Sequence, residues 1–247
     1  MRNLFTFFLI LVFLTPTFKL KAEKFSIGWE IWYPFQYRSA DESTVGLDFE
    51  ILYEILSKTN DSAEYIELPW LRHVNYIRSG EIDIAMGSSK TKERAEYSYF
   101  TEPYRKEKIA LVVRKNQSKK INLPTLQSLS SSNYLIGIEL GYYYGPLFKE
   151  LIANQKFYDR IVEVVDLEQN VNMLIKNRID GLLADEVAIN AFVEKYGLKG
   201  ELEIHPLEIY ESDIHLMLSK VSMTPEQLKR INQAINKLKS TGRLGEI

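Results

Sequence analysis

Short apolar runs bounded by glycine or proline alternate along this chain with segments whose apolar residues recur every three to four positions. That alternation limits the fold more than any other feature. Strands covered on both faces read as compact apolar runs, and the helices crossing between them carry one apolar stripe. Phe25, Ile27 and Trp29 alternate with Ser26 and Gly28, and Pro34 breaks the pattern because it cannot donate to a ladder. Leu47, Ile51, Leu52, Ile55 and Leu56 fall at helical spacing, residues 65–68 read as a short strand stopped by Pro69, and Val74, Tyr76 and Ile77 continue as a helix. Residues 82–86 read as a buried strand, and 109–113 as a long strand able to pass between lobes. After a polar connection over 114–132 the alternation resumes. Strands are expected at 134–138, 161–165, 181–184 and 214–218, with helices at 147–152, 167–175 and from Asp185 onward. Thr224 and Gln227 have capping-box spacing ahead of a last helix carrying Leu228, Ile231, Ile235 and Leu238 on one face. Strand and helix in alternation specify an α/β fold with mostly parallel sheets.

One echo bears on domain organisation. Ile77-Arg78-Ser79-Gly80-Glu81-Ile82-Asp83 resembles Ile175-Lys176-Asn177-Arg178-Ile179-Asp180. Either the chain has two similar halves or these are two ordinary helix-to-strand turns. At 247 residues the chain suits one large domain or two small ones.

Composition removes several function classes. Lys+Arg is 31 against Asp+Glu 33, so no basic surplus is available to grip nucleic acid. With Cys at 0, disulfides, thiolate metal sites, iron–sulfur clusters, cysteine nucleophiles and cysteine-linked lipids are excluded. His73, His205 and His215 lack metal-ligand spacing and read as surface or partly buried, so neither metal nor cofactor is expected. No nucleophile-elbow pattern is present.

The N-terminus opens with Arg2, continues with an apolar run over 4–14 interrupted by Thr6, and closes on Leu20-Lys21-Ala22. A membrane anchor or a buried helix would also be apolar, but a bilayer span needs about 20 such residues. Residues 1–22 are expected to be a secretory signal, cut near Ala22 although Leu20 is larger than usual for its position. Its removal takes away Arg2, Lys19 and Lys21 and no acid. A soluble, cysteine-free exported chain fits a bacterial periplasm.

Gly87-Ser88-Ser89-Lys90-Thr91-Lys92-Glu93-Arg94 follows a buried strand. Ligands of open α/β sheets bind beyond the carboxyl ends of strands, and an arginine there can fork onto a carboxylate. The other reading is a solvated loop whose arginine caps a helix.

Tyr33-Pro34-Phe35, Gly46-Leu47-Asp48-Phe49-Glu50-Ile51, Gly80-Glu81-Ile82-Asp83, Thr91-Lys92-Glu93-Arg94 and Phe100-Thr101-Glu102-Pro103-Tyr104 occur in that order. Together they resemble the solute-binding proteins of family 3, the periplasmic amino-acid-binding proteins of ABC importers, over 24–247. The resemblance implies a two-lobed periplasmic-binding-protein fold (type II) whose lobes are joined by two crossover strands. Lobe one would comprise 24–112 plus 217–247, and lobe two 113–216. It implies a monomer that takes a small polar or amino-acid-like ligand and docks on a membrane ABC permease. By the same resemblance Arg94 holds the ligand carboxylate in the loop after Gly87, and Ser89 assists it. Asp185 would take the ammonium group, Trp32 and Trp70 would sandwich the side chain, and Glu30 would touch it.

Each of these positions has a plainer reading. Trp32 and Trp70 serve equally as core residues, Asp185 as a helix cap, and Glu30 as a solvated loop charge. The chain also departs from the family pattern. Leu140-Gly141-Tyr142-Tyr143-Tyr144-Gly145 replaces a turn of small polar donors, and Trp70-Leu71-Arg72 adds a second arginine. The tyrosines are either an exposed helix entry or an aromatic wall with Tyr142 facing the cleft. A cyclohexadienyl-dehydratase-like lyase shares the implied fold and would need Glu139 or Glu30 as a general acid beside Arg72. A ligand-sensing partner of a signalling system is a further alternative.

Overall fold

The computed structural model describes residues 22–244. The expected secretory segment therefore lies outside the described residues, apart from Ala22.

The first lobe opens with β1 (Lys24–Trp29), a short ribbon of β2 (Tyr37–Arg38) and β3 (Thr44–Val45), and α1 (Leu47–Thr59). It continues through β4 (Ser62–Glu67), α2 (Trp70–Ser79), β5 (Ile84–Ser89), α3 (Lys92–Tyr97) and β6 (Ser98–Phe100). β7 (Arg105–Arg114) leads into the second lobe. After a 3₁₀ turn at Leu126–Ser131 come β8 (Ile136–Glu139), α4 (Pro146–Leu151), α5 (Gln155–Tyr158) and β9 (Ile161–Val164). Then follow α6 (Leu167–Ile175), β10 (Gly181–Asp185) and α7 (Glu186–Lys195). β11 (Leu202–Ser219) returns to the first lobe, and α8 (Pro225–Ser240) closes it.

Strand order runs β4-β1-β5-β11-β7-β10-β8-β9, with β6 beside β11. Each end repeats one plan. β1 lies parallel between β4 and β5, and β8 lies parallel between β9 and β10. An antiparallel crossing strand then completes each set, β11 against β5 and β7 against β10.

The echo noted in the sequence has a physical basis in this plan. At the α2-to-β5 turn Gly80 is left-handed (φ 83), and Asp83 Oδ2 accepts from Ser26 N at 2.8 Å. At the α6-to-β10 turn Asn177 is left-handed (φ 55), and Asp180 Oδ2 accepts from Leu135 N at 2.9 Å. In both lobes an aspartate at the end of the turn ties the incoming strand to the start of the central one.

Sequence periodicity located most elements but cut β11 short. Only 214–218 is predominantly apolar, His215 apart; 202–213 alternates with exposed polar residues such as Glu208 and Glu211, because that stretch pairs with β7 along a half-solvated surface. Two strand pairings lie next to the expected 112/113 and 216/217 divisions. Residues 109–113 already pair with β10, and Ile214 already pairs with Ser89 of β5. Between these pairings β7 and β11 share a segment in which Arg105 to Lys108 face Glu211 to Ile214.

Each lobe has its own core. α1 and α8 cover the first sheet, burying Leu52, Ile55, Ile231 and Ile235 completely. A fully buried aliphatic side chain of this size contributes about 1.5–3 kcal/mol. Thr224 and Gln227 form the expected capping box at the start of α8. The second lobe packs Leu111, Leu129, Phe157 and Leu183 on one face of its sheet and Leu174, Leu182 and Ile189 on the other. No helix among the described residues is long and apolar enough to cross a membrane.

Candidate functional site

The carboxyl end of β1, the loop after β5 and the turn after β8 meet between the lobes. Glu30, Trp32, Trp70, His73, Gly87, Ser89, Arg94, Glu107 and Tyr142 surround one inner cavity there, together with Gln36, Met86 and Tyr143. Seven of the residues expected from sequence are thus brought together: Glu30, Trp32, Trp70, Gly87, Ser89, Arg94 and Tyr142.

Arg94 is set by local chain chemistry. Thr91 caps α3, its hydroxyl accepting from Arg94 N at 3.1 Å. The guanidinium lies 5.1 Å from the Trp70 ring centroid and donates to the Ser89 carbonyl at 3.0 Å and weakly to Ser88 Oγ at 3.4 Å. It is 9% exposed and makes no ion pair among the described residues. Burial pushes its pKa below the ordinary value. A buried cation with neutral partners only is costly until an anion joins it.

The neighbouring arginine shows the contrast. Arg105 donates Nε to Asp48 Oδ1 at 2.9 Å, and both side chains are fully buried. Burial opposes its charge, but Asp48 outweighs burial and holds the pKa above the ordinary value. Asp48 Oδ2 accepts from Gln36 Nε2 at 2.8 Å, and the Arg105 guanidinium lies 3.8 Å from the Phe35 ring and 4.7 Å from Trp32. This pair is therefore structural support beneath Trp32.

Glycine is favoured at position 87 for a steric reason. Its φ is +72, and a Cβ there would come within 2.8 Å of Trp32 Cζ3. Glycine lets the indole lie against the strand end. Trp32 and Trp70 are both buried at 8% exposure, so the core reading and the cavity-wall reading hold together.

Glu30 Oε2 accepts from Trp70 N at 2.9 Å, and Oε1 accepts from the Tyr142 hydroxyl at 2.7 Å. Burial raises its pKa to about 7. Glu107, whose Oε2 accepts from Ser89 Oγ at 3.4 Å, is likewise pushed up by burial to about 7. Glu139, buried behind the tyrosine turn, is pushed to about 8 by burial and by the charge of Glu30. The site is a cleft of buried acids facing one unpaired arginine.

Two expected site residues lie elsewhere. Asp185 does not line the inner cavity. It ends β10 and caps α7, Oδ1 accepting from Ala188 N at 2.8 Å, while Oδ2 is buried without a partner. Arg72 is exposed on α2, since α2 turns His73 inward instead. His73 is 1% exposed and pairs with the Trp29 carbonyl at 3.1 Å, and burial lowers its pKa to about 4. His205 is also buried, at 5% exposure, so His73 and His205 lie deeper than the expected surface or partly buried position, while His215 is partly buried as expected.

Gln36, His73 and Glu107 were missed by sequence reasoning. Gln36 sits in a tight turn closed by the Trp32–Gln36 bridge, and Glu107 begins a crossing strand. Nothing in their local pattern marks them; only the meeting of lobes does. Among the described residues no group of three or more His, Asp or Glu is placed to hold a metal ion.

Two α/β lobes connected by crossing strands, with a polar and aromatic cleft between them, define the two-lobed periplasmic-binding-protein class, type II. The model of the bacterial extracellular solute-binding proteins, family 3, matches residues 26–247, and the chain belongs to that family. It is 28% identical over 179 residues to the histidine-binding periplasmic protein of Salmonella typhimurium, covering 70% of this chain and 65% of that one. To a probable histidine-binding protein of Campylobacter jejuni it is 29% identical over 161 residues, covering 65% and 59%. The match thus spans less than two thirds of either relative's length. An amino acid ABC transporter substrate-binding protein of Streptococcus pneumoniae, bound to L-arginine, shares the fold. Its TM-score is 0.74 at 23% identity, over 90% of this chain and 91% of that one.

Proposed function

We propose that this chain captures a small amino-acid-like solute in the periplasm and presents it to a membrane ABC permease. The observation that carries the reading is Arg94, a buried guanidinium beside Ser89 with no carboxylate partner of its own. The ligand carboxylate would complete it with a two-pronged bond. Glu30, which lines the same cavity as Arg94, suits a cationic or donor-bearing side chain. The names of the histidine-binding relatives and of the arginine-bound structural neighbour agree with such a ligand. Asp185, outside the inner cavity in this arrangement of the lobes, would receive the ammonium group through its free Oδ2 once the cleft rearranges around a ligand. The lobes would hinge about the shared segment of β7 and β11, and only the closed form would dock productively.

Calorimetry with L-arginine and L-histidine tests the reading. Losing one member of a buried charge pair typically costs about 2–5 kcal/mol, so Arg94→Ala should weaken binding about 30-fold to several thousand-fold. Arg94→Lys should rescue little, since an ammonium cannot fork. Exposed Arg72→Ala should bind like the parent. If Arg72→Ala loses binding while Arg94→Ala keeps it, the carboxylate site belongs to the Trp70-Leu71-Arg72 turn.

One observation favours a lyase as the second reading: Glu30, held near neutrality, has the pKa of a general acid. Against it, Arg72 does not accompany Glu30 in the cavity. Incubation with prephenate or arogenate decides; release of the aromatic product would replace the transport reading. N-terminal sequencing of the periplasmic fraction checks export, an intact Met1 in the membrane pellet being the contrary result.

A further inference from the structure

The three consecutive tyrosines after β8 do three different things. Tyr144 is an anchor: it is buried, its hydroxyl accepts from Glu139 N at 2.8 Å, and its ring packs 5.2 Å from Phe148. Tyr143 packs edge-on against Tyr210 of β11 at 5.6 Å. Tyr142 alone crosses the cleft. Its ring lies 6.1 Å from Trp32 and 6.3 Å from Trp70, and its hydroxyl reaches Glu30 at 2.7 Å.

Trp32 and Trp70 are the walls that the family resemblance gives to a ligand side chain, and Glu30 is the acid that the proposed function gives it. With Tyr142 among them, the inner cavity holds about 20 Å³. That is room for about one water, whereas small-molecule sites run to about 300–1,000 Å³. An amino acid cannot enter while the ring stays there.

The surroundings give the ring somewhere to go. A groove of about 340 Å³, lined by residues of both lobes, adjoins the turn and shares Arg94, Tyr142 and Tyr143 with the inner cavity. Gly141 and Gly145 flank the tyrosines with φ of +82 and +96, conformations that favour glycine. Gly141 is also held by the first lobe, its carbonyl accepting from Trp70 Nε1 at 3.1 Å. The turn is thus pinned at Gly141 and Tyr144, with Tyr142 between the pins.

We propose that Tyr142 is a specificity-determining residue that occupies the ligand's side-chain position itself, so that a solute binds only by replacing its ring between the tryptophans and its hydrogen bond on Glu30. This rests on the amino-acid reading of the cleft. A solute with a flat, donor-bearing end replaces both interactions. An aliphatic solute replaces neither donor nor plane, and leaves Glu30 Oε1 buried without the partner that Tyr142 gave it, while Oε2 keeps Trp70 N. Because the self-occupied form competes with ligand, apparent affinity is reduced by the fraction of molecules in which Tyr142 is displaced.

The test uses Tyr142→Ser and Tyr142→Phe beside the parent, with thermal melts to show that each is folded. In small-angle scattering without added ligand, the parent should have a smaller radius of gyration than Tyr142→Ser, because Tyr142 joins the lobes. In calorimetry, Tyr142→Ser should bind L-arginine about tenfold or more tighter than the parent, because a hydrogen bond to a charged group no longer competes. Tyr142→Phe, which keeps the ring and loses the bond, should fall between. Equal radii without ligand, or weaker L-arginine binding by Tyr142→Ser, would overturn the proposal. If the radii differ as stated but no amino acid binds the parent or Tyr142→Ser, self-occupation stands and the amino-acid reading fails.

Discussion

Lys149 of α4 and Glu93 of α3 pair at 2.9 Å across the mouth of the cleft, one residue from each lobe. Both side chains are more than half exposed, so the pair contributes little by itself. Its value is diagnostic. Lys149→Ala should leave the melting temperature nearly unchanged, and any change in ligand affinity should shrink as salt rises and screens the pair. Calorimetry at two ionic strengths checks this.

Asp48 and Arg105 should behave oppositely. Both are fully buried, and removing Asp48 strands a guanidinium against the Phe35 and Trp32 rings. Asp48→Ala should lose about 3–5 kcal/mol of stability by urea denaturation. A loss under about 1 kcal/mol would mean that water reaches Arg105 in the variant.

The two strand-tying aspartates should be equivalent. Asp83→Ala and Asp180→Ala each remove a charged acceptor from a backbone amide of the neighbouring strand. Each should destabilise by about 1.5–3 kcal/mol. Hydrogen exchange should rise in 25–29 for the first variant and in 135–139 for the second.

Gly87→Ala should disturb the site while leaving both lobe cores in place. A left-handed alanine costs about 1–2 kcal/mol, and its methyl would press on Trp32 Cζ3. Reduced ligand affinity with a shifted tryptophan emission is the expected result.

Stability should fall as pH rises from about 4.5 to 8. Glu30 and Glu107 have pKa values near 7, and Glu139 near 8, against an ordinary 4.5. In that window the unfolded chain has already released protons that the folded one retains, so each added pH unit favours unfolding. His73, lowered to about 4, opposes this trend only below its ordinary 6.5, where the unfolded chain takes up the proton first. Melting temperatures across the range check the sign, and Glu139→Gln should flatten the alkaline end. Binding of a cationic solute at Glu30 should strengthen over the same window, because it favours the ionised carboxyl.

The sequence alone specified alternating strands and helices, because apolar period and turn residues are local properties. It therefore located the caps Thr224 and Asp185, the loop that carries Arg94, and the family to which the motifs point. Tertiary structure decided the rest. Glu107 and Gln36 join the cavity only because β7 crosses between lobes and the Trp32–Gln36 turn folds beneath it. Arg72 and His73 are neighbours in sequence, yet the packing of α2 on β1 sends one to solvent and buries the other. The same holds for Tyr142, Tyr143 and Tyr144: three identical side chains in a row, sorted by their neighbours, Tyr142 by Trp32, Trp70 and Glu30 of the opposite lobe, and Tyr143 and Tyr144 by Tyr210, Phe148 and Glu139 of their own. Local pattern carries secondary structure; the burial and charge state of a residue depend on neighbours distant in the chain, which only the closed fold assembles.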